Sequence, residues 1–223
     1  MDFDGKVVLI TGAGRGSGRQ LAEAFAKQGA SLALNDISPQ NVEALAADLT
    51  LHGHKAKAYV EDISKKMSMQ AMAKQVEDDF GSIDILINHA MVEPHMALLK
   101  MDEWDWHRTL DVNLTGAFLA MQTVGRIMRD KGGGVIINLA SLSEGTITLD
   151  RAAYVTSIFG VVGLTRQAAR ELFSDHIRVH ALGRGLSRFQ SSGTTVPADL
   201  ERAVLFLCSP RAAHLTGHIV NVP

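Results

Sequence analysis

Val7-Val8-Leu9-Ile10-Thr11-Gly12-Ala13-Gly14-Arg15-Gly16-Ser17-Gly18 is the stretch on which the reading of the fold turns. Four apolar residues in a row, without alternation, mark a strand buried on both faces. The glycines that follow make a turn in which backbone N–H groups approach a bound anion closely, and the helix that starts there adds partial positive charge. Leu21 to Gln28 continues as a helix, and Gly29 stops it. A glycine-rich turn alone also fits a merely tight connection. Its place between a buried strand and a helix points instead to a pyrophosphate cradle holding Gly12, Arg15, Gly16 and Gly18.

The next strand, Ala30 to Asn35, ends at Asp36, about 20 residues beyond the glycines. A carboxylate there accepts hydrogen bonds from ribose hydroxyls and repels a 2′-phosphate, which favours NAD over NADP. Two considerations run the other way: Asp36 also suits a helix cap, and the Arg15 guanidinium would offset a 2′-phosphate. Farther along, Ala56–Val60, Ile83–Ile87, Val135–Leu139, Ile177–Ala181 and His218–Val222 read as strands. Helical stretches run from Ser38-Pro39 to Leu49, from about Asp102 to Asp130, from Tyr154 to Phe173 and from Ala198 to Leu207. This alternation predicts an α/β chain: a Rossmann-type, doubly wound parallel sheet in three layers, with residues 1–223 forming one dinucleotide-binding domain.

Composition narrows the function classes. The chain is 46% hydrophobic but 5% aromatic, as expected where small residues pack helices onto a sheet. Its formal charge of -2 is scattered, which argues against a nucleic-acid partner or an anionic membrane surface. The first residues carry acids where a signal peptide has bases, and no apolar run approaches ~20 residues, so no membrane span and a cytoplasmic location are expected. The single cysteine, Cys208, excludes an internal disulfide and reads as buried. His52 and His54, or His214 and His218, lack accompanying cysteines or carboxylates, so no metal site is expected. Met67, Met69 and Met72 read as packing on an amphipathic helix, and Trp104 and Trp106 as anchors of the long helix.

Several segments together resemble the short-chain dehydrogenase/reductase family, classical type. Thr11 to Gly18 is similar to its TGxxxGxG segment, and Asp62 to the aspartate used toward adenine. Asn88-His89-Ala90 resembles its NAG segment, with His89 in place of a second asparagine. Asp111-Val112-Asn113-Leu114-Thr115-Gly116 resembles the helical asparagine motif, and Ser141 and Tyr154 fall where the catalytic serine and tyrosine belong. The resemblance runs from about Lys6 to Val222. It implies hydride transfer between nicotinamide and a small carbonyl or alcohol substrate. Asn113, Ser141 and Tyr154 would be catalytic, with Tyr154 also at the cofactor alongside Gly12, Arg15, Gly16, Gly18, Asp36, Asp62, Asn88 and Ala90. It also implies a homodimer or homotetramer built on the two long helices, where Gly160 to Gly163 would allow close approach.

One position departs sharply. The family carries a lysine four residues after the tyrosine, which contacts the nicotinamide ribose and lowers the tyrosine pKa; here that residue is Ile158. An unassisted phenol, with pKa about 10, is roughly 0.1% ionised at pH 7, and bringing it to 7 takes about 4 kcal/mol. An apolar neighbour pushes the other way. Alcohol oxidation, which needs the phenolate, should therefore lose roughly three orders of magnitude near neutrality, and carbonyl reduction less. Arg184-Gly185 stands for the family's Pro-Gly, only 11 residues separate Gly185 from Pro197 where relatives carry a longer lid, and the Asp-Gly-Gly tail is absent. Two readings follow: an oxidoreductase with an altered centre, in which Arg184 would supply a substitute cation, or a catalytically silent NAD-binding sensor or partner subunit. Halohydrin dehalogenases reuse the serine and tyrosine, but they lose the glycines that are intact here and place arginine where this chain has Ile158.

Overall fold

The computed structural model describes residues 2–140, 147, 149–184 and 198–222. Seven parallel strands form one sheet: β1 (Val7–Thr11), β2 (Ser31–Asp36), β3 (Ala56–Val60), β4 (Ile85–Asn88), β5 (Gly134–Leu139), β6 (Ile177–Arg184) and β7 (Ile219–Val222). Their order across the sheet is β3-β2-β1-β4-β5-β6-β7. Between them run α1 (Gly16–Lys27), α2 (Pro39–Leu51), α3 (Lys66–Phe80), α4 (Glu103–Leu110), α5 (Gly116–Asp130), α6 (Ala152–Glu171) and α7 (Ala198–Cys208).

The pleat of β1 explains the three layers. Val8 and Ile10 face a core shared with α1, α2 and α7, whereas Val7 and Leu9 face a second core shared with α3 and α5. A strand whose residues all meet apolar partners has no polar face, hence the uninterrupted apolar run in the sequence. Strand order reverses between β1 and β4, so the crevice outside their carboxyl ends is where such a sheet holds a ligand.

Three local differences from the sequence reading concern the site. Helix α1 begins at Gly16 rather than Leu21, so the last glycines of the loop form its first turn and their N–H groups are among those without an intrahelical acceptor. The long helix from 102 to 130 carries a π turn at Asp111–Thr115 between α4 and α5, and Asn113 lies inside it. Apolar spacing barely registers one extra residue in a turn, so this was not legible. Finally, Gly160 packs inward: a Cβ there would stand 2.8 Å from Leu114, and Val161 and Val162 are buried. The exposed residues of α5 and α6 include Phe118, Phe159 and Gly163.

Elsewhere Met69 and Met72 are buried while Met67 is exposed, as an amphipathic helix requires. Burial pushes the Cys208 thiol far above its usual range. No helix of the described residues is long and apolar enough to cross a membrane.

Candidate active site

A cavity of about 460 Å³ opens along the carboxyl ends of β1, β2 and β4, within the range of small-molecule sites. Gly12, Arg15, Asp36, Asp62, His89 and Ala90 line it. Three of the residues expected at the cofactor from their spacing, Gly12, Arg15 and Asp36, thus share one cavity with Asp62 and Ala90.

The glycines are required by space as well as by conformation. Gly12 has φ +66°, and a Cβ there would stand 2.8 Å from the Ala90 Cα. A Cβ at Gly18 would collide with the Gly12 carbonyl oxygen and stand 2.8 Å from His89 Nδ1. Thr11 closes the loop from beneath, its Oγ1 accepting from the backbone N–H groups of His89 and Ala90 at 3.1 and 3.2 Å. His89 fills the space under the glycines, with Nδ1 3.1 Å from the Gly12 carbonyl oxygen and Nε2 2.6 Å from Ser17 Oγ. A carbonyl only accepts, so Nδ1 carries the hydrogen and Nε2 accepts from the serine. Burial holds this imidazole below its ordinary pKa, in keeping with that neutral tautomer.

Asp36 joins the rim to the loop. Its Oδ2 accepts from Gly14 N–H at 2.9 Å and its Oδ1 from Ser38 N–H at 3.0 Å. Each oxygen keeps a lone pair for a further donor. Buried Asn35 positions this corner by donating to the carbonyls of Tyr59 and Glu61, which ties the ends of β2 and β3 together. Asp62 Oδ1 accepts from both the N–H and the hydroxyl of Ser64. Asn35 was not singled out in the sequence, because a buried polar residue at a strand end has no local signature. Trp104 corrects an expectation: it is 66% exposed, lines the cavity, and has the Arg108 guanidinium 5.2 Å from its ring, so it does not anchor the helix.

Tyr154 and Ile158 lie one turn apart on α6, and both face the sheet, 5% and 1% exposed. The Tyr154 hydroxyl lies 4.0 Å from Met91 Sδ. Burial raises the phenol pKa, and the nearby positive charge of Arg151 partly opposes that rise. Ile158 lines a hollow of about 10 Å³ with Asn113, Met91 and Thr11, room for about one water. Asn113 donates both amide hydrogens, to the Val92 carbonyl at 2.9 Å and to Ser157 Oγ at 3.0 Å, and its Oδ1 accepts from Val92 N–H at 2.8 Å. It therefore clamps the chain after β4 against α6. Asn88 stands apart from the large cavity, donating to Asn138 Oδ1 at 2.8 Å; Asn138 in turn donates to Thr165 on α6. Ser141 lies outside the described residues, as do the segment 185–197 and the side chain of Arg184. Among the described residues no cluster of histidine, cysteine or carboxylate suits a metal ion.

The fit to known proteins agrees with this geometry. Residues 6–194 match the model of the family described as short chain dehydrogenase. The chain is 35% identical over 240 positions to the (2S)-[(R)-hydroxy(phenyl)methyl]succinyl-CoA dehydrogenase subunit BbsD of Thauera aromatica, covering all of this chain and 96% of that protein. It is 36% identical to the D-threitol dehydrogenase of Mycolicibacterium smegmatis, covering 96% of this chain and 90% of the relative. A solved structure from Sinorhizobium meliloti 1021, assigned as a short-chain alcohol dehydrogenase, superposes with a TM-score of 0.90 at 30% identity, covering 99% and 95% of the two chains. With its parallel sheet, its glycine cradle and these relatives, the chain belongs to the short-chain dehydrogenase family of oxidoreductases, whose members usually bind NAD(P).

Proposed function

We propose that the chain is an NAD-dependent oxidoreductase acting on a small carbonyl or alcohol substrate, with an altered proton-transfer centre. The observation that carries this reading is the intact cradle: Gly12 and Gly18 leave no room for a Cβ, and the Asp36 carboxylate is fastened to the same loop. The Gly16 and Gly18 N–H groups would hold the pyrophosphate beside Arg15, Asp36 the adenosine ribose, and Asp62 with Ala90 the adenine side. Asp36 favours NAD, because a 2′-phosphate would meet its negative charge. A bound nicotinamide cofactor supplies or accepts the hydride. The chain's own residues handle the proton: Tyr154 as acid or base at the substrate oxygen, with Ser141 holding that oxygen. Asn113 then acts by positioning Val92 and α6, and Asn88 by joining β4 to β5.

Ile158 stands where the family's lysine is expected and brings no charge, so the reaction direction that needs only the neutral phenol, carbonyl reduction, is the one this site serves better. A second reading, a silent NAD-binding sensor or partner subunit, draws on the hollow of about 10 Å³ beside Ile158 and on the fully committed amide of Asn113. Calorimetry with NADH beside ADP-ribose separates the two. NADH binding tenfold tighter or more, about 1.4 kcal/mol, is expected for the oxidoreductase; equal binding would leave the silent reading. The same proposal includes one domain over residues 1–223, a cytoplasmic location, and a homodimer or homotetramer through the exposed Phe118 and Phe159 flank, which sedimentation would test.

A further inference from the structure

Among the described residues, one charged group acts on the Tyr154 phenol: the guanidinium of Arg151, whose central carbon stands 4.8 Å from the ring centre. Arg151 is the residue that opens α6, three positions before the tyrosine, so the two side chains share a face. Its placement is constrained from several sides. It forms an ion pair with Glu93 Oε1 and is 16% exposed. Its backbone makes a parallel bridge with Met96, and Met96 N–H donates to the Asp150 carbonyl at 2.8 Å. Glu93 belongs to the same chain segment as Met91 and Val92, which Asn113 clamps, so the carboxylate that holds the guanidinium is itself held.

We propose that Arg151 is a positioning residue that stabilises the phenolate of Tyr154 from the face of its ring, supplying the cation that Ile158 does not. The inference rests on reading Tyr154 as the acid or base. A guanidinium stays charged throughout the working pH range, and a cation over an aromatic face is held more tightly once that ring carries negative charge. Glu93 opposes the effect, because its carboxylate neutralises part of the guanidinium's field, and His95 Nε2, 3.4 Å from Glu93, faces the pair from the outer side. From the other segments packed on α6, Asp111 of the π turn and His107 and Arg108 of α4 line the large cavity. The pair therefore has two opposed handles on the phenol: Arg151 lowers the midpoint of its ionisation and Glu93 limits how far.

The chain has two tyrosines, and burial, with the hydrogen bond Tyr59 donates to Asp79 at 2.7 Å, keeps the Tyr59 phenol neutral far above the usual range. Ultraviolet titration of tyrosinate in the full chain with Tyr59→Phe therefore reads Tyr154 alone, with no substrate or cofactor present. Arg151→Met should raise the midpoint by about one pH unit or more, Arg151→Lys should retain most of the original value, and Glu93→Gln should lower it. An unmoved midpoint in Arg151→Met, with a native circular dichroism spectrum, would overturn the proposal. Should Arg151→Met not fold, Arg151→Gln, which keeps a hydrogen-bond donor for Glu93, decides instead, and a midpoint that stays or falls refutes the proposal. The calorimetric comparison of NADH and ADP-ribose fails or succeeds independently of this titration, so loss of the oxidoreductase reading and loss of this one are distinguishable.

Discussion

Replacing Ile158 by lysine tests the centre of the proposed function. Ile158 lies one helical turn after Tyr154 on the same face, next to a hollow of about 10 Å³ that admits roughly one water. An ammonium about 5 Å from the phenolate oxygen, at an effective dielectric constant of about 20, interacts by roughly 3 kcal/mol, or about two pH units in the phenol's midpoint. That enlarges the phenolate fraction at pH 7 about a hundredfold. Part of this is lost, because a buried lysine is itself pushed toward neutrality and Arg151 already supplies positive charge. We therefore expect at least a tenfold gain in kcat/KM for alcohol oxidation at pH 7, with the alkaline limb of the pH profile moved toward neutrality. Carbonyl reduction should gain less. The same change should cost about 1–3 kcal/mol of stability in the absence of cofactor, since a desolvated ammonium replaces a packed side chain. The assay is the pH dependence of the forward and reverse rates, beside urea unfolding of both proteins. A stability loss with an unchanged pH profile would refute the reasoning, and would move the lesion to the segment 185–197 or to Arg184.

Three other outcomes follow from the geometry. Asp36→Asn keeps an acceptor for Gly14 N–H but removes the charge, and the preference for NADH over NADPH should narrow by about 1–3 kcal/mol in calorimetric affinities; an unchanged ratio would assign the discrimination to Arg15. Gly18→Ala should weaken NADH binding at least tenfold, because its methyl group meets the Gly12 carbonyl and His89, and unaltered affinity would show that the loop yields without cost. His180 is fully buried on β6, and burial, Arg178 and His218 bring it down to about 4. Its folded pKa lies below the unfolded value of about 6.5, so the stability it confers is complete above 6.5 and is lost as pH falls toward 4, by about 3 kcal/mol. Urea unfolding at pH 7 and pH 4.5 should show this loss in the parent and a smaller one in His180→Leu; identical losses would exclude His180 as the group responsible.

The sequence by itself determined the α/β alternation, the glycine cradle and Asp36, because each rests on neighbours. The Val7–Ile10 run, the glycines after it and the carboxylate at the end of β2 are separated by no more than one strand–helix unit. It also put Ile158 where the family resemblance implies a lysine. What only the tertiary structure decided involves groups far apart in the chain. Asn113 clamps Val92, 21 residues away, through a π turn that leaves almost no trace in apolar spacing. His89 sits under a loop 72 residues earlier and hydrogen-bonds Ser17. Trp104 read as an anchor of the long helix, yet it is exposed and lines the cavity with Arg108 beside it. Arg151 drew no notice in the sequence, because an arginine at a helix start is ordinarily solvated. Its neighbour Tyr154 lies three residues on, but the Glu93 carboxylate reaches Arg151 only once the segment after β4 folds back. Local pattern records which backbone a residue favours, whereas the charge that reaches a given atom depends on the distances closed between segments remote in sequence.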